Sequence, residues 1–178
     1  HVAYFRREGK NLIDWIRFAG SDTTRAANLT EVTINGLEAD VNYNLEGILG
    51  ENFPLKRVSG SYMYLWADTA STNFESNYVL DFLQHKADVG LHFKFGSTLF
   101  LDYQISYQDR VGEFTNSQGD EEAYEPVLLS DIRVGANYEN LNVFIAASNL
   151  FNVRYNDIGN VQQPGRWVKL GATVKFPW

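Results

Sequence analysis

One stretch alternates without a break between apolar and polar side chains: Arg166-Trp167-Val168-Lys169-Leu170-Gly171-Ala172-Thr173-Val174-Lys175-Phe176. A period of two is typical of a β-strand with one apolar and one polar face. The apolar face comprises Val168, Leu170, Ala172, Val174 and Phe176. About ten residues at roughly 3.3 Å each, tilted by about 45°, span the hydrocarbon core of a bilayer. The stretch therefore predicts a membrane-spanning strand.

Two positions after Phe176 the chain has a last aromatic residue, Trp178. An amphipathic strand with aromatic residues at its end is typical of the strand that closes an outer-membrane barrel and that the barrel assembly machinery recognises. We therefore expect six residues to serve closure and assembly: Arg166, Val168, Leu170, Val174, Phe176 and Trp178.

The composition excludes several classes of protein. Of 178 residues, 44% are apolar, so the chain is not a disordered segment. Its net charge of −7 argues against a nucleic-acid partner, which would require a basic surface. No apolar run is long enough for a transmembrane helix, whereas barrel strands give a much weaker signal. Without cysteine, the chain has neither disulfides nor a thiolate metal site.

The same alternation recurs along the whole chain and predicts eight strands. They cover residues 2–18, 30–45, 56–67, 86–95, 99–108, 128–138, 141–155 and 166–176. In the second strand, Val32 and Ile34 are out of phase with the apolar set that begins at Leu37. This change of phase predicts a β-bulge near Asn35-Gly36.

The connections between these strands alternate between long and short. Long connections are predicted at residues 19–29, 68–84, 110–126 and 156–165. Short turns at one rim and long loops at the other are typical of an outer-membrane barrel and rare in a soluble β-sandwich. Four aromatic residues also lie at strand ends, where they would contact lipid headgroups: Tyr43, Trp66, Tyr107 and Tyr138. The sequence thus predicts an all-β fold, a transmembrane antiparallel barrel.

Several motifs resemble those of the TonB-dependent outer-membrane receptors. The stretch from Ala147 to Tyr155 is similar to that family's penultimate strand, with its Asn-Leu-Phe and later Tyr. Pro164-Gly165-Arg166 resembles the start of its last strand. The stretches 11–14 (Asn-Leu-Ile-Asp), 36–39 (Gly-Leu-Glu-Ala) and 60–64 (Gly-Ser-Tyr-Met-Tyr) follow in the family's order.

The resemblance implies a barrel of 22 strands, with an N-terminal plug in its lumen. Residues 1–178 would form about the last eight strands, without the plug and the earlier strands. The chain also begins inside a strand pattern, at His1-Val2-Ala3-Tyr4, as expected of such a fragment. The implied partners are outer-membrane lipid, the barrel assembly machinery, a small-molecule nutrient, and the TonB complex through the plug region. The stretch Asn11 to Asp14 is most similar to the cobalamin (corrinoid) receptors, so the nutrient is expected to be a corrinoid or an iron chelate.

Ligand contacts are expected in the long loops, because binding residues concentrate on loops held by a rigid scaffold. The candidates are Tyr78, Phe114, Tyr124 and Tyr155, which would stack on a large planar ligand. Aromatic residues at the level of the lipid headgroups are the structural alternative.

No pattern predicts catalysis, a metal site or a cofactor. His92 is a single imidazole, and Asp120-Glu121-Glu122 lacks the spacing of a calcium loop. Glu38 and Asp40 share a face but have no nucleophile beside them. Arg166 is expected to anchor the last loop by pairing with carboxylates, rather than to contact the ligand.

Two other functions remain open. A complete eight-stranded barrel with a structural or adhesive role would fit the length, but its interior would be filled by side chains. The small residues on the predicted polar face favour a wide lumen instead. An outer-membrane barrel enzyme is the third hypothesis, and its catalytic residues are missing.

Overall fold

The computed structural model describes residues 1–18, 23–68, 74–76, 82–157 and 161–176. Thirteen strands and one short helix form in these ranges. The eight long strands are β1 (Val2–Phe18), β2 (Thr24–Asn44), β3 (Leu55–Asp68), β5 (Leu83–Phe95), β6 (Leu99–Arg110), β9 (Val127–Tyr138), β10 (Leu141–Ser148) and β13 (Trp167–Val174). The short elements are α1 (Glu46–Leu49), β4 (Phe74–Ser76), β7 (Glu113–Thr115), β8 (Glu121–Ala123), β11 (Asn156–Asp157) and β12 (Val161–Gln162).

The eight long strands form one antiparallel sheet in which each pairs with the next along the chain. The order is β13-β10-β9-β6-β5-β3-β2-β1, and β4 is added beyond β1. The eight predicted strands are therefore confirmed. Several strand ends differ from the prediction: β10 stops at Ser148 and β13 at Val174, so Phe176 follows the strand.

The sheet is open within the described part of the chain. No pairing joins β1 to β13, which form the two edges of the meander. An eight-stranded barrel would have to pair these two strands to close. The sheet is thus part of a barrel wall, and a complete small barrel is not favoured.

Short turns lie at one end of the sheet and longer connections at the other. The turns at residues 96–98 and 139–140 and the segment around α1 form one end. The connections at the opposite end, called the loop end below, include those at residues 111–126 and 149–166. The predicted loop at residues 19–29 was too long, because Thr24 and the residues after it belong to β2. Among the described residues, no helix has the length and apolarity needed to cross a membrane.

The predicted bulge at Asn35-Gly36 is wrong. Pairing of β2 with β1 and with β3 runs through both residues without a shift. Val32 is 3% exposed, and it packs with Ile16, Leu12, Ala27 and Ile34 in a small apolar cluster at the loop end. The polar face of the sheet is therefore locally apolar at this cluster, and this explains why Val32 and Ile34 are out of phase with the apolar set that begins at Leu37.

The two faces of the sheet differ in character. The apolar face is defined by Val168, Leu170 and Val174 of β13 and continues through their cross-strand partners, with Leu170 86% exposed. The polar face is defined by Lys169, Gly171 and Thr173 and continues through Asn142, Arg133 and Asp102. This is the alternation expected of a barrel wall with lipid on one side.

Glycines on the polar face are covered by phenylalanine rings from the neighbouring strand. Phe5 lies opposite Gly36, Phe100 opposite Gly135, and Phe144 opposite Gly171. A Cβ built on Gly135 would lie 2.5 Å from Phe100 Cζ, and the same clash arises between the other two pairs. Gly36, Gly135 and Gly171 are therefore positions where two strands pack closely.

Candidate functional site

A cleft of about 1020 Å³ lies at the loop end, between the β6–β9 and β10–β13 connections. Its aromatic lining residues are Phe114, Tyr124 and Tyr155, and its polar ones include Asn116, Gln118, Glu122, Arg154 and Gln162. Three of the four aromatic residues proposed from the sequence thus line one cleft. The fourth, Tyr78, lies outside the described residues.

One wall of the cleft is a small hairpin, β7–β8. Phe114 pairs with Glu122 in this hairpin, and Asn116 closes its turn by accepting from the N–H groups of Gln118 and Asp120 at 2.8 and 2.9 Å. Asn116 Nδ2 also donates to Glu122 Oε1 at 2.7 Å. The turn is therefore built by one side chain that satisfies three groups.

The rings of Phe114 and Tyr124 pack on each other, and little of their surface is exposed to the open cleft. Their centroids are 5.1 Å apart, and the residues are 9% and 8% exposed. Such a tilted pair contributes to stability beyond its buried area. These two residues therefore hold the hairpin to its base, and a ligand would meet only their edges.

Arginine side chains connect the loop-end elements. Arg110, the last residue of β6, forms an ion pair with Asp157 of β11 at 2.5 Å, and its guanidinium lies 5.7 Å from the ring of Tyr124. Arg17, near the end of β1, forms an ion pair with Glu121 of β8. The β7–β8 hairpin is thus fixed to elements that are distant in the sheet.

Tyr155 is the half-buried aromatic residue of the cleft. Burial raises the pKa of its phenol, and the negative charges of Asp157 and Asp131 raise it further. The phenol therefore stays protonated well above neutral pH and keeps its O–H donor. Together with Arg154 and Gln162, it gives the cleft hydrogen-bond donors next to an aromatic surface.

The junction between β10 and β13 is held by two asparagines in the left-handed region. Asn149 has φ 48° and its side-chain amide both accepts from and donates to the backbone of Val153 at 2.8 Å. Asn152 has φ 56° and its Oδ1 accepts the backbone N–H of Arg166 at 2.9 Å. A Cβ on Gly165 would collide with that same Oδ1, so the close approach requires glycine.

Arg166 therefore anchors the loop differently from what the sequence predicted. The contact is made by its backbone N–H, and within the described ranges its guanidinium forms no ion pair. Val168, Leu170 and Val174 lie exposed on β13, Phe176 follows it at 74% exposure, and Trp178 lies outside the described residues. Their role in closure and assembly stays a prediction.

A second cavity, of about 330 Å³, lies on the polar face at mid-sheet. There His92 Nδ1 is 2.6 Å from Asp102 Oδ1, and Arg133 lies between two rings, 3.8 Å from Phe144 and 5.6 Å from Phe100. In the described part of the chain no three His, Asp or Glu side chains are grouped to hold a metal ion.

Sequence reasoning missed Arg110, Arg17 and Arg133. Their partners are far away in the chain, with Asp157 47 positions after Arg110, so no local pattern could reveal these contacts. The sequence analysis used Asn149 and Asn152 only as parts of the family motif. The enrichment of Asn at positive φ is the signal that could have identified them as turn residues.

Comparison with known proteins gives the family. Residues 1–150 match the model described as "TonB dependent receptor-like, beta-barrel". The chain belongs to the TonB-dependent receptor family, as a part of its β-barrel. The resemblance seen in the sequence is confirmed at the level of the family, and the all-β barrel fold is confirmed as well.

Solved receptors share the fold at low identity. The FrpB iron transporter from Neisseria meningitidis is 16% identical, covers 98% of this chain, and has a TM-score of 0.64. A mutant of the ferric enterobactin receptor from Pseudomonas aeruginosa (PfeA), in complex with enterobactin, is 18% identical, covers 98%, and has a TM-score of 0.63. The chain spans only 28% and 29% of those two proteins.

A comparison with curated protein sequences gives no match. The matched structures are transport receptors and not enzymes. The cobalamin specificity expected from residues 11–14 is not shown by any of these comparisons.

Proposed function

We propose that this chain forms part of the barrel wall of an outer-membrane, TonB-dependent receptor that imports an iron chelate. The observation that supports this most is the family match over residues 1–150, on a sheet with one apolar and one polar face. The loop-end cleft beside Tyr155 would bind the chelate from outside. Transport would then depend on the energy-coupling TonB complex and on parts of the receptor beyond this chain.

The C-terminal position within a larger barrel is part of the same proposal. Among the described residues, the outer edge of β13 and the part of β1 before Ile16 have no neighbouring strand, and hydrocarbon cannot satisfy the backbone groups of such edges. In the intact receptor they would pair with further strands. Residues 166–176 would then provide the closing strand that the assembly machinery engages.

An iron chelate is favoured because two structurally similar receptors are an iron transporter and a ferric enterobactin receptor. A corrinoid is the second candidate, and one observation favours it: Asn11-Leu12-Ile13-Asp14 resembles the cobalamin receptors. Both ligands would suit a cleft with aromatic edges and several hydrogen-bonding groups.

The test is growth of a receptor-null strain that expresses the full-length protein. One culture is limited for iron and supplied with ferric chelates, and the other is limited for cobalamin. Rescue under iron limitation alone is expected. Rescue under cobalamin limitation alone would select the corrinoid, and failure in both cultures, with the protein displayed at the surface, would contradict the nutrient-receptor proposal.

A further inference from the structure

The charges around the loop-end cleft are predominantly negative. Residues 111–126, which form its β7–β8 wall, contain no lysine or arginine and five carboxylates: Glu113, Asp120, Glu121, Glu122 and Glu125. Glu122 and Glu125 line the cleft and are exposed. Among the described lining residues, Arg154 on the other wall is the one cation. A ligand in the cleft would therefore meet more negative than positive charge.

Two arginines near the cleft are already engaged in ion pairs. Arg110 pairs with Asp157 at 2.5 Å, and its side chain is only 11% exposed. Arg17 pairs with Glu121 of the hairpin. Their positive charges are thus used to hold the loop-end elements together, and they are balanced before any ligand arrives.

The two carboxylates that line the cleft keep their charge. Within the described part of the chain, neither Glu122 nor Glu125 pairs with a lysine or an arginine. Asn116 Nδ2 donates to Glu122 Oε1 at 2.7 Å, but a neutral amide does not cancel the negative charge. Both carboxylates are therefore available to a cationic group of a ligand.

Tyr155 shows the same bias on the opposite wall. Burial raises the pKa of its phenol, and the charges of Asp157 and Asp131 raise it further, so a negative group is disfavoured there. A cleft whose charges are mostly of one sign concentrates the electrostatic potential and selects ligands by their charge. Both walls of the cleft thus disfavour an anion.

The net charge of an iron chelate depends on its iron-binding groups. Each catecholate group loses two protons when it binds ferric iron, so the complex with three catecholates is a trianion. Each hydroxamate group loses one proton, so the complex with three hydroxamates is neutral. A free ammonium group on the hydroxamate chain makes that complex a cation.

We propose that the loop-end cleft selects a ferric hydroxamate chelate with a protonated amine, which lies beside Glu122 and Glu125, and that it disfavours trianionic catecholates. This inference rests on the proposed uptake of an iron chelate and deepens it. The polar groups of the cleft would bind the hydroxamate oxygens, since the Tyr155 phenol and Arg154 both donate hydrogen bonds.

The experiment compares three chelates by calorimetric titration of the full-length receptor in neutral detergent. The probes are a ferric trishydroxamate with a free amine, the same chelate with its amine acetylated, and a ferric triscatecholate. Acetylation removes one positive charge and should weaken binding about threefold, as expected for two carboxylates about 6 Å away at physiological ionic strength. The triscatecholate should bind most weakly of the three.

The outcomes separate this inference from the proposed function. If the triscatecholate bound more tightly than the hydroxamate with the free amine, the inference would be overturned and the proposed function would stand. Binding of none of the three chelates would overturn both. Equal affinity of the free and the acetylated hydroxamate would contradict the contact of the amine with Glu122 and Glu125.

Glutamine variants locate the effect in the cleft. Glu122→Gln keeps an oxygen that accepts from Asn116, and it should strengthen binding of the triscatecholate about threefold, because it removes one charge about 8 Å from a trianion. The double variant with Glu125→Gln should strengthen it further and weaken binding of the hydroxamate with the free amine. Glu51→Gln, at the opposite end of the sheet, is the matched control, since it changes the net charge equally and should change neither affinity.

The gain of triscatecholate binding is a result that loss of structure cannot produce. Higher salt should also act in opposite directions, because screening weakens the attraction of the cation and the repulsion of the trianion. Unchanged affinities in the double variant, or the same changes in Glu51→Gln, would overturn the assignment to this cleft.

Discussion

The ring of Phe144 covers Gly171, its cross-strand partner in the neighbouring strand β13. The ring would collide with any Cβ at that position, so glycine is a packing requirement of this pair. The same arrangement recurs at Phe5–Gly36 and Phe100–Gly135, on the polar face of the sheet. The glycine thus provides the space in which a large ring covers the backbone of the next strand.

Gly171→Ala should destabilise the barrel by about 1–3 kcal/mol, because the added methyl group must displace the ring of Phe144. The measurement is the midpoint of thermal unfolding of the full-length receptor in detergent. Gly47→Ala is the matched control, since a Cβ on Gly47 has no atom within 4 Å. In the double variant Gly171→Ala with Phe144→Ala, the two effects should be less than additive, and strict additivity would contradict the contact.

Leu170→Arg should reduce the free energy of unfolding in lipid vesicles by about 2–4 kcal/mol. This is the cost of a charge on the lipid side of a barrel strand at mid-membrane. Leu170 is 86% exposed on the apolar face. Lys169→Gln, one residue away on the polar face, is the control and should fold normally. If Leu170→Arg folded as well as the parent, the assignment of that face to lipid would be wrong.

Deletion of residues 171–178 from the full-length receptor should block assembly in the outer membrane. It removes half of β13 and exposes the β10 backbone groups that pair with it, including Phe144 and Leu141. Surface labelling of intact cells measures the outcome. Normal display of the truncated receptor would contradict the closing role of this strand.

Local alternation was sufficient to predict the long strands, and long-range contacts explain where it failed. In β13 the period of two predicted both faces correctly from Val168 to Val174. The same rule failed at Val32 and Ile34, because an apolar cluster with Ile16 replaces the polar pattern there. A period of two cannot distinguish such a cluster from a change of register.

The sequence predicted aromatic residues that the fold brings to one cleft, and their role in ligand binding stays a prediction. The loops around Phe114, Tyr124 and Tyr155 do line one cleft. The sequence could not reveal that Phe114 and Tyr124 pack on each other, because that contact depends on the pairing of β7 with β8. It likewise could not show that Arg166 acts through its backbone.

Asn152→Ala should loosen the start of β13, at a cost of about 1 kcal/mol for the lost hydrogen bond, plus the strain of alanine at φ 56°. Asn152→Gly separates these terms, because glycine tolerates the angle but cannot accept from the N–H of Arg166. Hydrogen exchange at Arg166 measures the loss. Unchanged protection in both variants would show that this bond does not hold the junction.

Tyr155→Ala should weaken binding of the nutrient about three- to tenfold without changing the midpoint of thermal unfolding. Phe114→Ala should instead lower the temperature at which the outer loops unfold. The reason is their different surroundings: Tyr155 presents a protonated phenol to the cleft, while Phe114 is 9% exposed and packs on Tyr124. One lost hydrogen bond at a ligand accounts for the size of the Tyr155 effect. Tyr155→Phe keeps the ring and should reproduce most of the loss if the O–H makes the contact, or little of it if ring stacking does.

Binding is measured by titration of the full-length receptor with the chelate or corrinoid that supports growth, and loop order by limited proteolysis. If Phe114→Ala alone weakened binding and left the loops intact, the roles of the two residues would be the reverse of those assigned.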